Sequence, residues 1–304
     1  MISIQAENIT KQYGTKKAPV KALRDLSFQV EQGELFGIIG PDGAGKTSLF
    51  RILTTLLLPD GGSATVDGFD VVKDFKKIRQ RVGYMPGRFS LYQDLSVEEN
   101  LEFFATIFNT SVSENYELIK DIYSQIEPFN KRKAGKLSGG MKQKLALSCA
   151  LIHHPSVLFL DEPTTGVDAV SRKEFWAMLK SLQQKGITIL VSTPYMDEAA
   201  LCDRVALMQN GAILSINTPA NIVAGFGRPL FGVRAVNMLP LLNDLKVLTG
   251  VEKAYPSGIY HHVVMNEGGD SGLLRNHLDK ELHKELEIVA LQPTIEDCFM
   301  ELMQ

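Results

Sequence analysis

Gly40-Pro41-Asp42-Gly43-Ala44-Gly45-Lys46-Thr47 follows the apolar run Leu35 to Ile39 and opens a stretch, Lys46 to Leu57, whose apolar spacing predicts a helix. A Gly-x-x-x-x-Gly-Lys-Thr segment between a strand and a helix is a phosphate loop. Its glycines let backbone N–H groups close around a phosphate chain, Lys46 reaches the terminal phosphates, and Thr47 is placed to hold Mg²⁺. The helix points its N-terminus at the same spot, adding free amides and the positive end of its dipole. Pro59-Asp60-Gly61-Gly62 ends it.

Two further segments carry chemistry. Val157-Leu158-Phe159-Leu160-Asp161-Glu162 reads as a buried strand with two carboxylates at its C-terminal end, where ligands of parallel sheets sit. Asp161 suits the Mg²⁺ shell, and strand alternation turns Glu162 the other way. Upstream lies Leu137-Ser138-Gly139-Gly140-Met141, at the head of an apolar helical run.

In this order the three segments resemble the ATP-binding-cassette (ABC) transporter ATPases over about residues 1 to 220. The resemblance implies an α/β fold of the P-loop NTPase class, with a parallel core sheet, an antiparallel β subdomain and a helical subdomain over about 88–152. Strands alternating with helices point the same way. It implies ATP and Mg²⁺ as cofactors. The phosphates would rest on Gly40, Pro41, Asp42, Gly43, Ala44, Gly45, Lys46, Thr47 and Ser48, with Mg²⁺ on Thr47 and Asp161. Lys46 and Glu162 would be catalytic, Glu162 orienting or deprotonating the attacking water. Tyr13, in Lys11-Gln12-Tyr13-Gly14 and read as a loop residue, would stack on adenine. Ser138, Gly139 and Gly140 would present amides to the γ-phosphate of an ATP held by the opposite subunit. Asp168 matches the loop that touches the partner across the dimer seam, and a plain turn or helix cap is the alternative.

Two departures from the family pattern stand out. After Val82-Gly83-Tyr84-Met85-Pro86 the family has a glutamine, and this chain has Gly87; after Val191-Ser192-Thr193 it has a histidine, and this chain has Pro194. Proline offers no donor and glycine only backbone. Losing one transition-state donor costs about 10²- to 10³-fold in rate. The expectation is a subunit that binds ATP, hydrolyses it slowly, and pairs with a second, better-equipped ABC subunit. His153 and His154 read as a structural pair at a helix end.

Gly87 to Glu99 leads, by resemblance, into the groove that receives a helix of the membrane subunit. Phe89, Leu91, Tyr92 and Leu95 would line it, or else seal the helical subdomain against the core. The domains expected are 1–224 and 225–304. The second reads as βαββαβ, with helices over Leu239 to Leu248 and Leu273 to Leu282, a small ferredoxin-like α+β unit. Pro293-Thr294-Ile295-Glu296-Asp297-Cys298-Phe299 resembles the C-terminal signature of drug-resistance-type exporter ATPases, and a plain amphipathic closing helix is the alternative.

Composition narrows the partners. The 304 residues carry a net charge of -3, so no basic field favours nucleic acid. The apolar runs fall short of the roughly 18 to 20 residues that cross a bilayer. No secretory signal is read at the N-terminus. The chain is thus expected on the inner face of the cell membrane, cytoplasmic and held there by permease subunits. Cys149, Cys202 and Cys298 read as buried reduced thiols. Other readings are a regulatory subunit with structural ATP and a soluble, non-transport ABC protein.

Overall fold

A computed structural model describes residues 1–15, 18–87, 91–278 and 283–303. The chain divides into two compact units, Met1–Pro219 and Ala220–Gln304.

The first unit opens with a long antiparallel hairpin, β1 (Ile2–Thr15) and β2 (Ala18–Glu31), followed by β3 (Leu35–Ile39), α1 (Lys46–Leu53), β4 (Gly61–Val66) and β5 (Phe69–Asp70). Leu26, Phe28 and Val30 of β2 all face inward, as period-two alternation requires. Then come α2 (Phe75–Arg79), β6 (Val82–Met85), three helices α3 (Val97–Ile107), α4 (Tyr116–Tyr123) and α5 (Gly139–Leu151), β7 (Val157–Asp161), α6 (Ala169–Gln184), β8 (Thr188–Thr193), β9 (Arg204–Gln209) and β10 (Ala212–Asn217). One sheet has the order β2-β1-β4-β5, the other β10-β9-β3-β8-β7-β6. In the second sheet β9, β3, β8, β7 and β6 run parallel and only β10 is antiparallel. The β9–β10 turn is Asn210-Gly211, both at positive φ, as a tight hairpin demands.

β3, β7 and β8 are buried along their whole length, which accounts for their unbroken apolar runs. Helix α1 contacts β2, β4 and β7. Phe50 on α1 meets the Phe159 ring edge-on at 6.1 Å, while Phe28 stacks on Phe36 at 5.7 Å. This core holds the start of α1 and the ends of β3 and β7 in fixed relation. Helix α1 stops at Leu53, short of the expected Leu57. Thr54 folds its hydroxyl back onto the Phe50 carbonyl, Thr55 takes φ 64°, and Leu56 and Leu58 are left exposed. Helix α3 begins with a full capping box, Ser96 and Glu99 each bonding the other's backbone.

The second unit contains α7 (Pro219–Ala224) beyond its first residue, then β11 (Leu230–Arg234), α8 (Met238–Val247), β12 (Val251–Ser257), β13 (Tyr260–Met265), α9 (Ser271–His277), β14 (Glu287–Ala290) and α10 (Ile295–Leu302). Its sheet has the order β12-β13-β11-β14, every pair antiparallel, which is the arrangement of a split βαβ motif. Leu241, Leu245, Val263, Leu274 and Ile288 fill its core. Helix α9 ends at His277, before the expected Leu282, which lies outside the described residues.

Helix α10 takes in Ile295 to Phe299. Thr294 caps it in a box with Asp297. The buried Asp297 carboxylate accepts hydrogen bonds from Tyr255 Oη (2.8 Å) and Thr294 Oγ1 (2.7 Å), and His262 Nδ1 lies 2.6 Å from it. Lys253 Nζ donates to the carbonyls of Met300, Glu301 and Met303 at the helix's last turn, where a cation is favoured. All three cysteines are free and buried.

Candidate nucleotide-binding site

The phosphate loop leaves β3 and turns into α1 through Gly45, at φ 106°. A Cβ there would stand 2.4 Å from the Ala22 carbonyl oxygen, so only glycine fits. Gly43, at φ 80°, meets nothing within 4 Å. The hollow side of the loop is therefore bare backbone. Helix α1 has no side-chain cap, so its first-turn N–H groups are left for a ligand. Bare amides at a helix start, beside a lysine, fit a phosphate chain.

Lys46 is 3% exposed. Its ammonium donates to the carbonyls of Gly40 (2.8 Å) and Pro41 (3.0 Å) and pairs with Glu162 Oε1 at 2.9 Å. Those three contacts use all its donors. Asp161, last in β7 and 2% exposed, accepts a 2.7 Å bond from Ser192 Oγ, while Glu162 N donates to the same hydroxyl at 3.0 Å and to the Ser192 carbonyl. Glu162 lies beyond the strand, at φ 52°. Its turn toward Lys46 thus comes from a left-handed backbone rather than from the strand alternation the sequence suggested, a conformation that costs a non-glycine residue on the order of 1 kcal/mol. A hydroxyl at Thr47 and a carboxylate at Asp161 are hard oxygen donors suited to Mg²⁺. No cluster of three His, Cys, Asp or Glu ligands occurs among the described residues, and Mg²⁺ on a triphosphate needs only one or two protein ligands.

Tyr13 is in strand β1, opposite Val20 of β2, and not in a loop. Cross-strand pairing carries the hairpin arms out to Thr15 and Ala18, past the point where sequence polarity suggests an end. The ring is 39% exposed, and its hydroxyl shares a 3.1 Å hydrogen bond with Ser48 Oγ in the first turn of α1. An aromatic face is thus available next to the loop.

Ser138 caps α5, its Oγ accepting from Met141 N at 3.3 Å, with Gly139 and Gly140 forming the first turn. Among the described residues none of the three hydrogen-bonds to the phosphate loop. Gln143, which the sequence reading missed, ties this helix to the site: it is buried and donates to the Pro163 carbonyl, next to Glu162. Asp168 caps α6, accepting from Val170 N (3.1 Å) and Ser171 N (3.0 Å). Those backbone donors, Ser171 first, hold its carboxyl below the usual value.

Gly87 packs on the carboxylate end of β7. An added Cβ would come 3.0 Å from the Asp161 carbonyl oxygen and 3.9 Å from Glu162 Cβ. Pro194 directly follows β8, whose Thr193 carbonyl accepts from Gly40 N at 3.2 Å. Gly87 therefore borders Glu162, and Pro194 adjoins the residue that holds the phosphate loop at Gly40.

Leu91 is buried and lines a cavity of about 340 Å³ with Tyr84, Met85, Phe104, Phe108 and His153. Tyr92 is exposed and meets the Phe103 ring at 4.5 Å; Leu95 is half-buried, and Phe89 lies outside the described residues. His153 and His154 do not pair. His153 stacks on Phe108 (3.7 Å, 9°) with Nε2 3.1 Å from the Val82 carbonyl, and burial pushes its pKa down to about 4. His154 is exposed, its φ of 57° following the end of α5.

The family description "ABC transporter" matches residues 23–165. Over 223 residues the chain is 40% identical to the "Probable multidrug ABC transporter ATP-binding protein YbhF" of Escherichia coli, a match covering 73% of this chain and 38% of that protein. It is 38% identical over 215 residues to the "ABC transporter ATP-binding protein NatA" of Bacillus subtilis, covering 69% of this chain and 87% of that one. A dimeric post-hydrolysis structure of the ATP-binding cassette MJ0796, bound to ADP and Pi, superposes with a TM-score of 0.65 at 25% identity, over 71% of this chain and 98% of that one. The match over residues 23–165 takes in the strand–loop–helix at Gly40–Thr47, the Ser138-capped helix and the carboxylate-ended β7, and the chain belongs to the ATP-binding proteins of ABC transporters.

Proposed function

We propose that this chain is the ATP-binding and ATP-hydrolysing subunit that energises an ABC-type exporter, with slow hydrolysis at its own site. Lys46 and the bare amides of residues 40–48 hold the phosphates, Tyr13 stacks on adenine, and Thr47 with Asp161 holds Mg²⁺. Bound Mg²⁺ would neutralise charge between the terminal phosphates. Glu162, released from Lys46, orients or deprotonates water. Ser138, Gly139 and Gly140 complete the site of a second ABC subunit. The name of the YbhF relative, a probable multidrug ABC transporter ATP-binding protein, favours export.

One observation carries the slow-site reading: Gly87 packs on Asp161 and Glu162, Pro194 follows the Thr193 whose carbonyl holds Gly40, and neither has a side-chain donor to offer. Phosphoryl transfer is carried by positioning and electrostatics, so tight binding survives while turnover falls. The test is steady-state hydrolysis by the purified chain alone. A turnover of about 1 to 10³ per second, abolished by Glu162→Gln, would refute a slow site. The same two residues favour a second reading, a regulatory subunit whose ATP is structural. It predicts no hydrolysis from this site even in the complete complex.

Permease subunits are the partners proposed, with their docking surface at the Leu91–Phe104 cavity and the exposed Tyr92. That role places the chain on the inner face of the membrane.

A further inference from the structure

Glu198 is a buried carboxylate, 2% exposed, with no task assigned by any motif. Its Oε2 accepts from Thr193 Oγ1 at 2.5 Å and from Thr164 Oγ1 at 3.1 Å, and its Oε1 accepts from Arg172 Nε at 3.0 Å. Burying a carboxylate is costly unless its acceptor sites are filled and a cation is near. Here two hydroxyls and one guanidinium meet that requirement.

The three donors come from three segments: the end of β8, the turn after Glu162 and the head of α6. Thr193 holds the phosphate loop, its carbonyl accepting from Gly40 N, and its hydroxyl also accepts from Tyr195 N at 3.1 Å. Thr164 lies in the turn after Glu162, where Thr165 N returns to the Glu162 carbonyl. Arg172 stands in the second turn of α6, beyond the Asp168 cap, with its guanidinium 4.2 Å from the Tyr195 ring and bonded to Asp197. Pro194 has no donor to anchor this stretch to a ligand. The stretch is instead fixed from below, through Thr193.

We propose that Glu198 is a positioning residue for the end of a bound triphosphate. Through Thr193, Thr164 and Arg172 it holds the phosphate loop, the turn after Glu162 and the head of α6 in one arrangement, so that a terminal phosphate meets Lys46 in a fixed place. This rests on ATP binding at Lys46 as proposed above. Since the γ-phosphate alone distinguishes ATP from ADP, a positioning role there shows as selectivity between the two.

The experiment measures Kd for Mg-ATP and Mg-ADP in the wild type and in Glu198→Gln, Thr193→Val and Thr193→Ser, with Tm for each. In Glu198→Gln the amide NH₂ faces either Arg172, donor against donor, or the two hydroxyls, which must then turn from donating to accepting. The Kd(ADP)/Kd(ATP) ratio is expected to fall about tenfold in Glu198→Gln and Thr193→Val, and to stay within about twofold of wild type in Thr193→Ser, which keeps the hydroxyl. A purely structural carboxylate would lower Tm and weaken both nucleotides together. That result, or an unchanged ratio, overturns the proposal. Failure of the wild type to bind either nucleotide would instead sink the proposed function, and this role with it.

Discussion

Lys46 Nζ lies 2.9 Å from Glu162 Oε1, so the cation that would grip a terminal phosphate is ion-paired to the carboxylate that would direct water. A phosphate entering this site must take Lys46 from Glu162. Glu162→Gln removes both the competitor and a like charge facing the phosphate. With the pair of buried lysine and partly exposed carboxylate contributing about 1 kcal/mol net, ATP should bind about fivefold tighter to the variant, while hydrolysis is lost. Equilibrium binding of Mg-ATP checks the first, phosphate release the second. Weaker ATP binding by Glu162→Gln would mean that the pair plays no part in gating the loop.

Gly87 has limited room for a side chain, since an added Cβ meets the Asp161 carbonyl at 3.0 Å. The combined change Gly87→Gln, Pro194→His should still raise a slow rate, by about tenfold rather than the full 10² to 10³ per donor. The carbonyl must shift a few tenths of an ångström, and the carboxylate with it. Single-turnover hydrolysis is the measurement, and an unchanged rate would place the deficit elsewhere.

His153, stacked under Phe108, is neutral at pH 7 because burial lowers its pKa from 6.5 to about 4. The unfolded chain then binds more protons between those values, so stability falls as pH drops from about 6.5 toward 4. The loss from this group is on the order of 2 kcal/mol, allowing for its partial exposure. His153→Gln should flatten the slope in urea unfolding at about pH 7 and pH 5. Parallel slopes in the two proteins would assign the acid sensitivity to other groups.

Asp297 shows the opposite sign. Burial raises its pKa, but hydrogen bonds from Thr294, His262 and Tyr255 outweigh that and bring it below the usual 3.8. Its stabilisation is therefore complete above 3.8 and is lost as pH falls through the depressed folded value. Asp297→Asn should lower the melting temperature of the C-terminal unit at neutral pH and remove this share of its acid transition. Circular dichroism melts of both proteins across that range test it.

The legible parts of this chain were those whose signal is local. The phosphate loop, the carboxylate-ended strand and the Ser138 cap each declare themselves within a few residues, because backbone geometry and capping are short-range requirements. The parts that escaped are set by distant partners. Glu198 sits in the 3₁₀ turn Met196–Leu201, where nothing local marks it as buried, and only the fold brings Thr164 and Arg172 to it. Gln143 reads as one more polar position on α5 until β7 delivers Pro163 beside it. Apolar Leu56 and Leu57 extend the helical pattern of α1 in the sequence, whereas Thr54 and Thr55 end it through bonds and dihedrals that periodicity does not register. Likewise the left-handed Glu162 has no signature in composition.

The burial of Cys149, Cys202 and Cys298 has a practical corollary for following this protein at work. Burial raises the pKa of each thiol, leaving them protonated and sluggish toward alkylating reagents. A single cysteine introduced on the surface, for instance in place of exposed Val170 near the head of α6, would then take a spin or fluorescent label with the native background silent. Opening and closing of the proposed subunit pair could be tracked by inter-label distance without first stripping the molecule of its own sulfur.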